Sequence, residues 1–146
     1  MYIRKASRED LHFIMEIEEK SFKSPWTYEM FNYYIGSEGF LVFVIDHNIV
    51  GYIIVRLQRS FRGKIAHLDS IAVHPDWRRK GIGSYLLKMG IEYATCKGAK
   101  TMQLKVREHN LPAILLYTKF GFKIIGIKKN YYITENAIKM EKELVK

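Results

Sequence analysis

The chain has 146 residues, 48% of them hydrophobic and 14% aromatic, with a formal net charge of +9 at pH 7. This lies well inside the globular range and suits one domain, expected to span residues 1–146. Its one cysteine, Cys96, excludes an internal disulfide; no apolar run approaches the roughly 20 residues of a membrane helix, and Met1-Tyr2-Ile3-Arg4-Lys5 lacks a signal-peptide core.

In chain order, Tyr2 to Lys5 reads as a short strand. Ser7 is a helix cap, with Asp10 three residues on, and Leu11, Ile14, Met15 and Ile17 give an amphipathic helix to about Phe22. Lys23-Ser24-Pro25 breaks it, Thr27 caps a second short helix to Tyr34, and Gly36 and Gly39 end it. Phe40 to Ile45, a turn at Asp46-His47-Asn48, and Ile49 to Leu57 predict a hairpin of two buried strands. Arg59 to Gly63 reads as a polar connection to a strand over Lys64 to Val73. Ile82, Tyr85, Leu86, Met89 and Tyr93 recur at helical spacing between about Gly81 and Cys96, which places Cys96 on a helix as a buried spectator. Met102, Leu104 and Val106 alternate with Gln103, Lys105 and Arg107, a strand period. Asn110 caps a helix with Pro112 in its first turn, Gly121 ends it, and two strands follow near Phe122–Ile127 and Ala137–Lys142. The order predicts an α/β fold of the α+β type: a mixed, mostly antiparallel sheet of six or seven strands flanked by about four helices.

The charges are scattered along the chain and read as a solvated surface, part of which serves a phosphorylated ligand. The candidate binder is Ile71-Ala72-Val73-His74-Pro75-Asp76-Trp77-Arg78-Arg79-Lys80-Gly81-Ile82-Gly83, an apolar strand feeding a basic, glycine-spaced turn that opens a long helix. Such a turn aims backbone N–H groups at one anion, with a helix N-terminus behind them. It is neither a Walker loop nor a dinucleotide fingerprint. The pattern Arg78-x-x-Gly81-x-Gly83 after Ile71-Ala72-Val73 resembles the pyrophosphate loop of the GNAT N-acetyltransferases. Leu104-Lys105-Val106-Arg107-Glu108-His109-Asn110, then Ala113, Tyr117, Gly121-Phe122 and Asn130-Tyr131-Tyr132, is similar to the protein N-terminal acetyltransferases within that family.

The resemblance implies acetyl-CoA as co-substrate and protein or peptide N-termini as acceptors. The lack of a membrane-length apolar run and of a signal-peptide core makes a cytoplasmic location the expectation, with ribosome association as a further one. No metal, membrane or specific nucleic acid is expected as a partner; His12, His47, His74 and His109 carry no metal-ligand spacing. Residue by residue, Ile71, Ala72 and Val73 would pair with the pantetheine arm, and Arg78, Arg79, Lys80, Gly81, Ile82, Gly83 and Ser84 would hold the pyrophosphate. Asn110 would contact the cofactor, and Tyr117 would protonate the departing thiolate as well as bind the cofactor. Ser24, Pro25, Trp26 and Tyr28, with Tyr131 and Tyr132, match the walls that grip the acceptor's first residues.

Acetyl transfer to an amine needs a neutral nucleophile, a stabilised oxyanion and a protonated leaving group. At pH 7 roughly a tenth of α-amines are neutral but only about one lysine in several thousand, so an α-amine needs only a modest base. Bacterial members of the resembled group carry glutamate at the position of Lys105, and a protonated lysine accepts no proton. His67 falls where other members carry a tyrosine, and is the candidate base, through a water. Lys105 is then a surface or cofactor-facing cation, one that repels positive acceptors, or one that holds an acidic side chain at the second residue of a peptide. The acidic stretch Glu16 to Glu19 reads as a solvated helix face, though a polyamine acetyltransferase would use such a patch. Transfer to lysine side chains, small amines or polyamines remains an alternative, as does an acyl-CoA-binding module without catalysis.

Overall fold

The structure is a computed structural model that describes residues 1–144. The chain opens with β1 (Tyr2–Lys5) and a short 3-10 turn at Arg8–Asp10 that runs into α1 (Leu11–Ser21). Ser7 and Asp10 form the expected reciprocal cap, the Ser7 amide donating to Asp10 Oδ2 at 2.8 Å. Arg4 adds bonds of 2.7 and 2.9 Å to the two Asp10 oxygens. Burial alone would raise the Asp10 pKa, but the Arg4 and Ser7 donors outweigh it and hold the carboxyl below its ordinary value. Thr27 caps α2 (Tyr28–Tyr34), its side chain accepting from the Met30 amide at 3.3 Å.

β2 (Phe40–Ile45) and β3 (Asn48–Ser60) form the expected hairpin. Its turn is only two residues, Asp46 and His47, with φ of 48° and 69°, as a tight twisted hairpin requires. The connection expected over Arg59 to Gly63 is shorter in the structure, because β3 runs on to Ser60 and β4 (Gly63–Val73) starts at Gly63. Hydropathy marks burial rather than pairing, and the end of β3 is paired but exposed. The chain continues through α3 (Ile82–Cys96), β5 (Ala99–Arg107), α4 (Leu111–Lys119), β6 (Lys123–Tyr132) and β7 (Glu135–Glu143).

The seven strands form one sheet in the order β1-β2-β3-β4-β5-β7-β6. Among the strand pairs whose register is described, β4 and β5 are parallel and the others antiparallel. A parallel pair needs a crossover, and α3 supplies it. The mixed seven-stranded sheet with four helices is the α/β class expected from the sequence.

The chain divides into two compact parts: Met1–Val55 with Ser70–Gly90, and Arg56–Asp69 with Ile91 onward. In the first, Leu11, Ile14 and Ile17 of α1 and Phe31 of α2 pack with Phe40 and Val42 of β2 and Tyr52 and Ile54 of β3. Phe31 meets Tyr52 edge-on at 5.6 Å between ring centres, and burying each such side chain stabilises by roughly 1.5–3 kcal/mol. A Cβ on Gly51 would come within 2.9 Å of Leu86 Cδ1 and 3.1 Å of the Ala72 carbonyl oxygen, so only glycine lets α3 and β4 pack this close to β3. The second part buries Ala66 and Leu68 of β4, Met102, Leu104 and Val106 of β5, Met140 of β7, and Tyr117 and Phe122.

Two side chains depart from expectation. Cys96, expected to be buried, is exposed; α3 turns Leu86, Leu87 and Ala94 inward, and two residues past Ala94 is nearly the opposite face of a helix. Glu18, expected on a solvated face, is only 2% exposed. It continues the spacing of Leu11 and Ile14, three and then four residues on, and so lies on the buried stripe of α1.

Candidate active site

The parallel β4–β5 ladder runs from Lys64 opposite Ala99 to Leu68 opposite Leu104 and stops there. Ile71, Ala72 and Val73 therefore lie on β4 beyond that ladder. The chain leaves β4 through a 3-10 turn at Pro75–Trp77 and enters the basic turn, where Arg79 (φ 63°) and Gly81 (φ 79°) take left-handed backbone angles. Left-handed residues in a turn converge successive N–H groups, and the N-terminus of the 15-residue α3 follows at once. Nothing lies within 4 Å of a Cβ built on Gly81, so its backbone angle, not crowding, selects glycine. Arg79 and Lys80 are exposed, Ile82 is buried, and Gly83 and Ser84 are half-buried. Convergent amides, a helix N-terminus and two exposed cations make a donor set that fits a pyrophosphate.

Arg78 has other partners. Its Nε donates to the Val73 carbonyl at 3.0 Å and its Nη2 donates to Ser21 Oγ at 2.9 Å, so the guanidinium braces the end of β4 against the end of α1. Glu18 makes a second brace, one that sequence reasoning missed. Its Oε2 accepts from the Trp26 amide at 2.9 Å, its Oε1 accepts from the Tyr52 hydroxyl, and that hydroxyl lies 2.9 Å from Ser70 Oγ on β4. Burial pushes the Glu18 carboxyl above its ordinary pKa, and the Tyr52 and Trp26 donors oppose the shift. The two braces bring the Ser24–Tyr28 segment and the strand of Ile71 to Val73 together in the first part. Ser24, Pro25 and Tyr28 are exposed. Trp26 is half-buried and packs against Phe31 and Tyr34 with ring centres 5.2 and 5.6 Å away, so it serves the core as well as the loop.

The second part gathers His67, Lys105, Tyr117, Tyr131 and Tyr132. His67 Nε2 lies 2.6 Å from Gln58 Oε1; with the amide oxygen accepting, Nε2 carries the proton and Nδ1 keeps its lone pair. Burial first, and then Arg56, Lys105 and Lys139, push the imidazole below its ordinary pKa and so favour its neutral form, while Asp69 pulls the other way. Asp69 is itself paired to Arg56 Nε at 2.7 Å. Lys105 Nζ stands 5.5 Å from the centre of the Tyr131 ring, and Arg107 stacks on Tyr132 at 4.2 Å while reaching Glu135 at 3.3 Å. Glu135 also accepts from the His109 amide at 2.9 Å, which ties the turn after Tyr132 to the end of β5. Tyr117 is 7% exposed and meets Phe122 edge-on at 5.9 Å. Burial, and next the nearby Tyr132, push its phenol well above the ordinary tyrosine pKa, so the hydroxyl keeps its proton. Asn110 caps α4, its Oδ1 accepting from the Ala113 amide at 3.3 Å, which leaves its side-chain NH₂ as the remaining donor.

The family model described as Acetyltransferase (GNAT) family matches residues 11–122, which take in the basic turn and Tyr117. This chain belongs to the GNAT acetyltransferase family. A Bacillus subtilis protein provisionally named a ribosomal protein bS18-alanine N-acetyltransferase is 33% identical over 138 residues, covering 92% of this chain and 88% of the relative. An N-alpha-acetyltransferase of Saccharolobus solfataricus is 32% identical over 154 residues, covering 97% and 92%. The crystal structure of Ard1 from Thermoplasma volcanium superposes with a TM-score of 0.91 at 27% identity, over 99% of this chain and 98% of that one. The GNAT fold and the N-acetyltransferase class expected from the sequence are both borne out. Among the described residues there is no group of His, Cys, Asp and Glu able to hold a metal ion, and no helix is long and apolar enough to cross a membrane.

Proposed function

We propose that this GNAT acetyltransferase moves the acetyl group of acetyl-CoA to the N-terminal α-amine of protein chains, by direct attack in a ternary complex, as one catalytic unit over residues 1–146. The left-handed turn at Arg79 and Gly81 ahead of α3 carries the donor half of the reading. The names of the bacterial and archaeal relatives, matched over nearly their whole length, support the acceptor half. The cytoplasm is the proposed site of action. The bacterial relative's name makes a ribosomal protein a candidate acceptor, and contact with the ribosome would follow from it.

Each residue has a stated task. The amides of Arg79 to Ser84 hold the pyrophosphate, with the Arg79 and Lys80 charges adding to them. The backbone of Ile71 to Val73 takes the pantetheine arm, and its amides stabilise charge on the thioester oxygen. Arg78 fixes the Val73 carbonyl, and the side-chain NH₂ of Asn110 contacts the cofactor. Ser24, Pro25, Trp26 and Tyr28, with Tyr131 and Tyr132, hold the acceptor's first residue. His67, neutral and with Nδ1 open, draws the proton from the attacking amine through a water. Tyr117 donates its hydroxyl proton to the departing sulfur. A dry site raises the basicity of a thiolate as well as that of a phenol, so this donation is not made uphill by the high tyrosine pKa.

Lys105, where bacterial members of the group carry glutamate, favours an α-amine over a lysine side chain. The proposed base is an imidazole, which suffices for an amine of pKa ~7.7–8.0 but not for one near ~10.4. The test offers acetyl-CoA with a free-N-terminus peptide, the same peptide N-blocked with a lysine inside it, and spermidine, with mass detection. Acetylation confined to the first supports the reading. Acetylation chiefly of the lysine or the polyamine replaces it with the corresponding acetyltransferase, and binding of acetyl-CoA without transfer to any acceptor replaces it with a non-catalytic module.

A further inference from the structure

Building on the acceptor role proposed for the second part, we infer that the enzyme selects chains bearing an acidic side chain directly after the N-terminal residue, held by Lys105, Lys128 and Lys139. The first observation is a like-charge pair. In the antiparallel β5–β7 ladder Lys105 stands directly opposite Lys139. Opposed residues put their Cβ atoms about 4.5–5.5 Å apart, and like charges so placed destabilise a sheet. Elsewhere in the same part charged and polar groups are matched: Gln103 with Glu141 at 2.8 Å, Arg107 with Glu135 at 3.3 Å, Arg56 with Asp69 at 2.7 Å. Lysine facing lysine stands out against these matched pairs.

The second observation is that local acid is already committed. Asp69 is paired to Arg56 and Glu135 to Arg107 and His109, while Glu141 accepts from the neutral amide of Gln103 and stands two residues from Lys139 on β7. Among the described residues no salt bridge is found to Lys105, Lys128 or Lys139, and Asp69, which favours the charge on Lys105, is itself paired to Arg56. Burial first, then Lys128 and Lys139, and last Arg56 weigh against the charge on Lys105, with Asp69 opposing them, so the three ammonium groups share one field that Asp69 only partly offsets. The third observation is that this surplus is held in place. Lys105 and Lys128 lie 5.5 and 5.8 Å from the centre of the same Tyr131 ring, which pins both.

The spacing suits a peptide. Gln103 is the register partner of His67, and Lys105 lies one pleat further along β5, about 7 Å on. An extended chain advances about 3.3–3.6 Å per residue. An α-amine served by His67 therefore leaves the second side chain within reach of the Lys105 ammonium. A carboxylate there relieves the repulsion between the opposed lysines, whereas a lysine or arginine there adds to it.

Three peptides that differ only at the second residue, Glu, Gln or Lys, test this with acetyl-CoA. The wild-type enzyme is compared with Lys105→Gln, Lys105→Glu, Lys139→Gln and, as a control on the exposed face of α3, Lys88→Gln. The expected order of kcat/KM is Glu, Gln, Lys, with roughly tenfold or more between the ends, carried by KM. Lys105→Gln and Lys139→Gln bring the Glu-to-Gln ratio toward one, Lys105→Glu inverts the order, and Lys88→Gln leaves the ratio alone. Each ratio is taken within one variant, so a general loss of activity or folding cancels. Equal values for the three peptides, or a ratio that falls as far in Lys88→Gln as in Lys105→Gln, overturn the inference while leaving N-terminal acetylation standing. Transfer to none of the peptides removes the proposed function and this inference together.

Discussion

The basic turn before α3 and the array around Lys105 are both cationic, yet they are built in opposite ways. In the turn, the groups proposed to bind the anion are backbone amides set by the left-handed angles at Arg79 and Gly81, and one of its three consecutive basic side chains, Arg78, is spent on the Val73 carbonyl and Ser21. Around Lys105 the proposed binding groups are side chains, set by strand register and by the ring of Tyr131. A site made of backbone tolerates exchange of its side chains but not of its glycine. A site made of side chains changes its preference with every exchange, which is where a family diversifies its acceptors while keeping its donor.

The largest expected effect breaks the side-chain-built half. His67→Ala is expected to lower turnover by ~10²-fold or more, because the proposed route offers the amine proton no other neutral base. Its pH profile makes the test specific. The wild-type kcat/KM should fall twice over toward acid, once as the α-amine protonates near pKa ~7.7–8.0 and again below the ordinary imidazole value of ~6.5, since burial and the surrounding cations lower the His67 pKa. Loss of the second limb in the variant, with the first kept, marks His67 as the group that titrates. Less than a threefold fall in turnover removes it from the mechanism. Tyr117→Phe comes next, with about a tenfold fall in turnover and little change in acetyl-CoA affinity; unchanged turnover ends its role as the acid.

An effect of similar size, on binding rather than turnover, separates the two constructions directly. Gly81→Ala forces a side chain into a left-handed angle at a cost of roughly 1–2 kcal/mol, so acetyl-CoA should bind about five- to thirtyfold more weakly, with no steric clash to blame. Arg79→Ala and Lys80→Ala remove exposed charges and should each weaken binding less. Calorimetric titration with acetyl-CoA reads all three. If the charge deletions cost more than the glycine change, the turn binds through side chains after all and the contrast between the regions fails.

These regions were not equally legible in the sequence. Alternation of Met102, Leu104 and Val106 located β5, and Ser7, Thr27 and Asn110 each located a helix start, because periodicity and capping are local and the structure needs nothing else to set them. Gly81 was legible for the same reason, since few residues adopt its angle. The extra length of β3 was hidden because its exposed end bonds through backbone that hydropathy does not register. The Lys105–Lys139 pair depends on register between strands more than thirty residues apart, which no local pattern encodes. The bracing role of Arg78 needed Ser21, 57 residues away. Glu18 was the avoidable miss: its place in the apolar spacing of α1 was visible, and its charge drew it to the wrong face.

Glu18 also gives the most delicate test, one of slope rather than size. It is a side-chain device within the part that holds the backbone-built turn, and it ties the Trp26 amide to Tyr52 and Ser70. Burial raises its folded-state pKa above the unfolded value. The folded state then holds this proton more tightly, so the contribution to stability is full below the unfolded carboxyl pKa and is lost as pH rises through the folded one. Asp10 and Glu135, whose folded values are lowered, push the other way, so the protein's total stability does not isolate the effect. Glu18→Gln does, because the amide does not titrate and the other carboxyls are common to both proteins. Urea unfolding should find the wild type gaining on the variant as pH falls from 7 toward 4. A difference that stays level, or that moves toward the variant, shows that the Tyr52 and Trp26 donors outweigh burial and hold Glu18 as a buried anion. The brace between α1 and β4 would then be charged at the pH where acetyl transfer runs, and Tyr52 would be donating to a full negative charge.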